Sequence, residues 1–558
     1  MRKEIGMATP AYCTGWTVRL CAAGLVLSSM ALGAEPTGRP PLPSIIPQPV
    51  RMEVCDGTFR FTPATRVIAG GPAAREAAKL IDALAPAMGF RLKQEEAASS
   101  PGNTVSLGID RSLHDTVGDE GYALEAAPGR VTLRAPEAAG LFYGIQTLRQ
   151  LLPPAIFSRQ KVENVPWTVP CVRITDYPRL AWRGLLVDPA RHFMPRHDVM
   201  RFIEAMALHK FNRLQMHLTD NEGWRIEIAT YPKLAEVGSK MDWTHLRRGA
   251  DAPRHFGFYT QDDIREIVRY AADRHITIIP EIEMPAHTGA AIVAYPALSL
   301  TPDAVAGLPP DQRWRKVRGV VAPRPETVAF MQGVLAEVAD LFPGRYVHIG
   351  GDEANTNHWK TSDEMQAQMR RLNLKDVHGL HSWFIKQMDG YLADHGRRMI
   401  GWDEILQGGL APGATVMSWH GAAGGITAAR AGHDAVMAPT SHTYFDYYQG
   451  PRPSEPRAIG GFIPLEKVYR FDPVPEELGH QQAAHVLGAQ AQLWGEYIPD
   501  EHHREYMAFP RACALIEVCW SPPHHLDYDL FLRRLAEHLK RLKAAGVNYR
   551  PLDAAPMR

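Results

Sequence analysis

The 558-residue sequence has no excess of charge of either sign: 61 Lys and Arg stand against 61 Asp and Glu. No long basic run breaks that balance. This excludes a protein that holds nucleic acid or an anionic membrane through bulk positive charge, which needs Lys and Arg concentrated against phosphates. Cysteine is scarce, six in all, and none has the CxxC spacing of a zinc site; a disulfide scaffold is excluded with it. The 46 Gly and 45 Pro are spread along the chain, so collagen-like repeats and low-complexity disorder are excluded as well. With 45% hydrophobic and 22% charged residues, a large folded globular chain remains.

No apolar run reaches the roughly 20 residues of a spanning helix. The longest leader-like stretch, Leu20 to Leu32, follows Arg2, Lys3 and Arg19 and ends in small residues before Glu35 and Pro36. That is the layout of a secretory signal peptide. We read residues 1–34 as an export leader and expect a periplasmic or secreted protein, with no membrane partner beyond the export signal. Cys21 lies at the start of the apolar run and not after it, which argues against lipid attachment. Export leaves Cys55, Cys171, Cys513 and Cys519, of which the last two either pair or stay as buried thiols.

The chain has two rhythms. Residues 35–177 read as a small α+β domain: strands at Thr58–Phe61 and Val67–Ala69, a helix over Ala73–Met88, strands at Thr104–Ile109, Tyr122–Ala126 and Arg130–Ala135, then a helix over Ala138–Leu151. Ala127-Pro128-Gly129 is a hairpin signal. Residues 178–550 alternate strand and helix. Val199, Phe202, Ile203 and Met206 fall at i, i+3, i+4, i+7, as do Ile264, Ile267, Val268 and Ala271, and Met331, Val334, Leu335 and Val338 give a third stripe. Apolar strands are expected at Gly184–Val187, Arg213–Leu218, Ile276–Ile282, Tyr346–Ile349, Met399–Trp402, Thr415–Trp419, Asp434–Ala438 and Val486–Trp494. Eight strands alternating with helices predict a (β/α)8 TIM barrel, an α/β fold preceded by the α+β domain. A doubly wound sheet is the alternative, but its glycine-rich phosphate turn is missing: the first strand runs into Asp188-Pro189-Ala190-Arg191.

Polar residues collect after nearly every strand. Arg191 and His192 follow the first, Asp220 and Trp224 the second, Glu281, Glu283 and His287 the third. Asp352 and Glu353 follow the fourth, Trp402 and Asp403 the fifth, Trp419 the sixth, Tyr444 and Asp446 the seventh, Trp494 and Glu496 the eighth. In a barrel these positions share one rim, where active sites of this fold sit. Carboxylates, one Arg and several indoles suit a neutral polyol, which offers hydroxyls to acids and apolar ring faces to indoles. In His348-Ile349-Gly350-Gly351-Asp352-Glu353, two adjacent acids reach one site only if the backbone leaves strand geometry, which Gly350 and Gly351 permit. Adjacent carboxyls raise one another's pKa, so Glu353 is expected as the protonated acid and Asp352 as the anion.

The sequence here resembles family 20 glycoside hydrolases, the β-N-acetylhexosaminidases. His348 to Glu353 is similar to their H-x-G-G-D-E signature. Arg183-Gly184-Leu185, Arg191-His192-Phe193, His217-Leu218-Thr219-Asp220, Met284-Pro285-Ala286-His287, Gly401-Trp402-Asp403-Glu404, Ser418-Trp419 and Leu493-Trp494-Gly495-Glu496 follow in family order. Gly140-Leu141-Phe142-Tyr143-Gly144-Ile145-Gln146 resembles the family's non-catalytic domain. The resemblance implies exo-hydrolysis of terminal β-linked GlcNAc or GalNAc with retention, through attack by the substrate's own acetamido oxygen. It implies Glu353 as acid and base, Asp352 on the acetamido N–H, Tyr444 on the acetamido oxygen, and Asp220 with His287 as a relay behind Glu353. Trp402, Trp419 and Trp494 would wall the pocket, Arg191 would bind the C3 and C4 hydroxyls, and Glu496 with Asp446 the C4 and C6 side. No cofactor or metal is implied, and the partner is the glycan. Ala286, Asn221 and Glu222 depart from the family's usual residues, and Lys240–Gly257 and Pro302–Pro323 look like long rim loops. Three competing readings are a metal-dependent barrel using Glu283, Asp352 and Asp403, a retaining glycosidase with Glu283 or Glu404 as nucleophile, and a glycan-binding protein without catalysis.

Overall fold

The computed structural model describes residues 42–97, 102–240, 256–313, 317 and 319–552. The leader assigned to residues 1–34, and most of the rim loop expected at Lys240–Gly257, lie outside them. Among the described residues no helix is long and apolar enough to cross a membrane.

Seven strands come first: β1 (Arg51–Arg60), β2 (Arg66–Ile68), β3 (Lys93–Glu95), β4 (Thr104–Ile109), β5 (Tyr122–Ala127), β6 (Arg130–Ala135) and β7 (Thr168–Asp176). They form one mixed sheet in the order β1-β7-β5-β6-β4-β2-β3. The helices Ala73–Met88 and Ala138–Leu151 pack against it and each other. Two strands are additional to those expected. β3 is Lys-Gln-Glu at the sheet edge and carries no apolar signal. β7 contains Pro170, which argues against a central strand; it is tolerated because it lies beyond the last β5 partner, Ala126↔Val172, and beside the register shift in β1 between Val54 and Thr58.

The second part is a closed barrel of eight parallel strands: β8 (Trp182–Val187), β9 (Arg213–His217), β10 (Thr277–Met284), β11 (Tyr346–Gly350), β12 (Arg398–Trp402), β13 (Thr415–Ser418), β14 (Ala435–Met437) and β15 (Val486–Leu493), with β15 pairing back onto β8. All eight expected strands are present. The predicted stripes face inward: Val199, Phe202, Ile203 and Met206 are buried on the helix Arg196–Leu208, and Met331, Val334, Leu335 and Val338 on Pro325–Leu341. Helix Gln261–Ala272 starts at a Thr260/Asp263 capping box, which satisfies amides that the first turn leaves unpaired. The stretch Pro302–Pro323, expected as loop, contains the short helices Pro302–Ala306 and Pro310–Arg313. Cys513 and Cys519 are free buried thiols, so the pairing left open above does not form.

Buried charge joins the sheet to the barrel at the end opposite the rim. Glu120 accepts from Arg183 through Nη1 at 2.9 Å and Nη2 at 2.8 Å, and from Asn212 at 3.1 Å. Asp176, at the end of β7, accepts from Lys210 Nζ at 2.9 Å, Tyr122 at 2.6 Å and the Trp520 indole at 2.8 Å. The side chains of Lys210 and Asp176 are both 0% exposed. Asp176→Ala strands a buried ammonium, so we expect a loss of about 3–5 kcal/mol, read as a lower urea midpoint. Asp82→Ala, at the exposed Arg91–Asp82 pair, serves as control with a loss of under about 1 kcal/mol; equal losses would contradict the assignment.

Candidate active site

One pocket at the C-terminal rim is lined by Arg191, Asp220, His287, Asp352, Glu353, Trp402, Trp419, Tyr444, Asp446, Trp494 and Glu496, the eleven residues singled out from the sequence. His217, Glu283, Tyr447 and Ile459 complete its wall. Four rim candidates do not line it: Glu281, Asp403, Trp224, whose buried indole donates to Ile226 O at 2.7 Å, and His192, which turns Nδ1 to the carbonyl of Gly495. A second cavity of about 310 Å³ is bordered by Ser299, Leu300, Thr301, Val320, His358, Trp359, Thr361 and Ser362, with no carboxylate among these described residues.

The signature loop adopts the backbone that its glycines permit. Gly350 (φ +69°), Gly351 (φ +89°) and Glu353 (φ +46°) all occupy the left-handed region, which a non-glycine residue enters only at a cost. A Cβ on Gly350 would stand 1.8 Å from Glu283 Oε2, so any other residue there would have to displace the buried Glu283 carboxyl. Both acids thereby reach the pocket. His287, itself at φ +51°, stands between them and Asp220: its Nδ1 is 3.2 Å from Asp220 Oδ1, and its Nε2 is 3.5 Å from Asp352 Oδ2 and 3.4 Å from Glu353 Oε2. Burial opposes a charge on His287, but Asp220 and Asp352 outweigh it and hold the imidazole protonated.

The protein groups alone order the two acids oppositely to expectation. Burial pushes the Asp352 carboxyl up, while contact with His287 holds Glu353 down. The reason is exposure: the Asp352 side chain is 14% exposed and that of Glu353 59%, so desolvation falls on the wrong member of the pair. Asp352 Oδ1 is buried without a hydrogen-bond partner among the described residues.

Arg191 is held by three acids, Asp188 at 2.9 Å, Asp220 at 2.6 Å and Glu222 at 3.3 Å, and lies over the Trp494 ring at 5.1 Å. Asp220 is in turn bonded to His217 Nε2 at 2.9 Å, whose Nδ1 reaches Glu281 Oε2 at 2.7 Å. Burial opposes the His217 charge, but Glu281 and Asp220 lift it to about 10. Glu281 also accepts from Gln215 at 2.8 Å and from the Trp402 indole at 3.0 Å, with His348 Nδ1 at 3.0 Å. The structural roles of Asp188, Glu222, His217 and Glu281 were missed in the sequence. For His217 and Glu281 the signal was the polar alternation Gln215/His217, Glu281/Glu283 and Gln490/Gln492 within apolar strands, side chains that are all buried.

Asp446 is buried with neither oxygen bonded to any described residue, and Glu496 Oε2 likewise has no partner among them. Burial pushes both carboxyls up, Asp446 further through Glu496, while Arg191 restrains Glu496. Buried acceptors of this kind suit hydroxyl donors.

The acids of the metal reading do not converge, because Asp403 is turned to the exit of β13. Its Oδ2 accepts the backbone amides of Trp419 and His420, each at 3.2 Å. Of the two candidate protein nucleophiles, Glu404 is tied to the Trp419 indole at 2.9 Å and does not line the sugar-sized pocket. Glu283 does line it, but burial and Asp352 push its carboxyl well up, toward the neutral form.

Comparison with known proteins agrees with this geometry. Residues 180–523 match the family model "Glycosyl hydrolase family 20, catalytic domain" and residues 42–177 its "domain 2". A β-hexosaminidase of Porphyromonas gingivalis is 43% identical over 92% of the chain, which spans 65% of that relative's length. The β-N-acetylhexosaminidase structure from Streptomyces coelicolor superposes with a TM-score of 0.80 at 34% identity, covering 93% of this chain and 99% of the other. A mutant Streptomyces plicatus β-hexosaminidase in complex with the product GlcNAc matches with a TM-score of 0.80 at 33% identity, covering 93% and 98%.

The Asp446 carboxyl keeps its proton in the folded state at pH values where the unfolded chain has lost it. Its raised pKa therefore subtracts stability progressively as pH rises above about 4. Asp446→Asn carries no such term, so the melting temperature of the variant should gain on the wild type between pH 4 and pH 8; parallel curves would contradict the buried neutral acid.

Proposed function

The chain belongs to glycosyl hydrolase family 20 and is a glycoside hydrolase of the β-N-acetylhexosaminidase type; we propose that its rim pocket removes terminal non-reducing β-linked GlcNAc or GalNAc with the residues and steps that follow. The sugar ring lies among Trp402, Trp419 and Trp494, with Arg191, Asp446 and Glu496 on its hydroxyls. Glu353 gives its proton to the glycosidic oxygen as the C1–O bond breaks, while the substrate's acetamido oxygen, held by Tyr444, bonds to C1. The resulting oxazolinium ion carries its charge beside Asp352, which accepts its N–H. Glu353, now a carboxylate, takes a proton from water, the water oxygen bonds to C1 from the face the aglycone left, and the acetamido oxygen is released. Two inversions give retention.

The observation that carries this reading is Asp352: a buried carboxylate oxygen with no protein donor, adjacent to an exposed acid, in a pocket whose other acids are tied down or held neutral. Such a group is an acceptor prepared for a substrate amide. Substrate also corrects the order of the two acids. An amide N–H on Asp352 favours its anion, and a sugar covering Glu353 raises its pKa by desolvation. The product GlcNAc bound by the Streptomyces plicatus relative is consistent with that ligand here.

Glu353→Gln should lower kcat on an unactivated GlcNAc glycoside by about 10²–10⁴-fold while binding persists. Asp352→Asn should lower kcat by about 10²-fold or more. Unchanged turnover in the first would remove Glu353 as the acid, and in the second would remove anionic stabilisation of the acetamido group.

A further inference from the structure

Glu404 stands just outside the pocket, in a cleft it shares with Glu353, Gly351, Thr356, His378, His381, Gln407 and His420. The one-turn helix Asp403–Leu406 that follows β12 presents it. One carboxylate oxygen, Oε2, accepts the Trp419 indole N–H at 2.9 Å, and the other, Oε1, accepts the backbone N–H of Glu353 at 3.4 Å. Both donors belong to groups whose placement matters. Trp419 walls the acetamido side, with its ring 6.2 Å from that of Tyr444. Glu353 holds a left-handed backbone that persists only where its surroundings over-determine it.

We propose that Glu404 is a positioning residue for the reaction described above, its carboxylate tying the Trp419 indole to the Glu353 backbone so that one side chain sets both the acetamido wall and the proton donor. The proposal rests on that reaction for its kinetic consequence, but not for the tie itself. It also explains why an acid that sequence reading offered as a nucleophile lies so close to the chemistry without facing the sugar.

The tie depends on ionisation. An ionised carboxylate offers both oxygens as acceptors, whereas the neutral acid keeps one good acceptor and must place its own O–H elsewhere. Burial, Asp352 and Asp403 raise Glu404, the Trp419 indole opposes them, and the balance falls at about 7. The other titratable groups facing it are Glu353 and His420, the latter packed on the Trp419 ring at 3.8 Å, with His378 and His381 across the cleft. Glutamine cannot replace the anion, since one of its two positions is an NH₂ that meets a donor.

The test uses the full chain. In Glu404→Gln, kcat on a chromogenic GlcNAc glycoside should fall roughly tenfold or more, with a smaller rise in KM. The Trp419 indole proton, assigned by loss in Trp419→Phe, should shift with pH around neutrality in the wild type and shift much less in Glu404→Gln, where only His420 still titrates beside the ring. Combined with Trp419→Phe, the Glu404→Gln change should cost less than it does alone. Wild-type kcat in Glu404→Gln, a flat indole signal in the wild type, or strictly additive effects would each overturn the proposal. A wild-type protein inactive on the glycoside would instead sink the assigned reaction, and the indole titration would still decide the tie.

Discussion

A single buried carboxylate, Glu281, organises the site. It draws donors from three neighbouring strands, Gln215 and His217 on β9, His348 on β11 and Trp402 on β12. An anion this deep is stable only with such a set of partners. Burial opposes its charge, and His217 with His348 holds it ionised. The consequence runs outward along a chain of contacts. His217, charged because of Glu281, fixes Asp220; Asp220 fixes Arg191 and His287; His287 stands at the two signature acids. Trp402 is fixed by the same carboxylate, so the pocket floor and the Asp220–His287 pair share one support.

The acids outnumber the cations in this region, and that imbalance shapes the chemistry. Arg191, His217 and His287 are charged and are answered by Asp188, Asp220, Glu222 and Glu281. The remaining buried carboxyls, Glu283, Asp446 and Glu496, are pushed toward their neutral forms by burial. A pocket of this kind disfavours anionic ligands and accepts hydroxyls and an amide. Among the described residues it also leaves no well-placed free carboxylate besides the signature pair, which fits a reacting nucleophile that comes with the substrate.

Much of this was legible in the sequence. The eight barrel strands declared themselves by apolar runs followed by polar residues, and the rim residues by their place after each strand. The two glycines before Asp352 announced a backbone that a regular strand forbids. What was not legible has physical reasons. β3 has no apolar pattern and β7 hides behind Pro170, harmless because it lies beyond the last β5 partner and beside the register shift in β1. The Glu281 network joins residues 66 or more positions apart in some of its pairs, and no local pattern reports such pairing. The relative pKa of Asp352 and Glu353 depends on which one the pocket buries, a property of shape and not of adjacency.

The central claim is that the substrate's acetamido oxygen, and no protein carboxylate, attacks the anomeric carbon. Replacing the acetamido methyl hydrogens of a chromogenic GlcNAc glycoside by one, two and three fluorines weakens that oxygen as a nucleophile without changing the leaving group. The rate constant should then fall steeply at each step. A nearly flat series would place the nucleophile on the protein and contradict the mechanism.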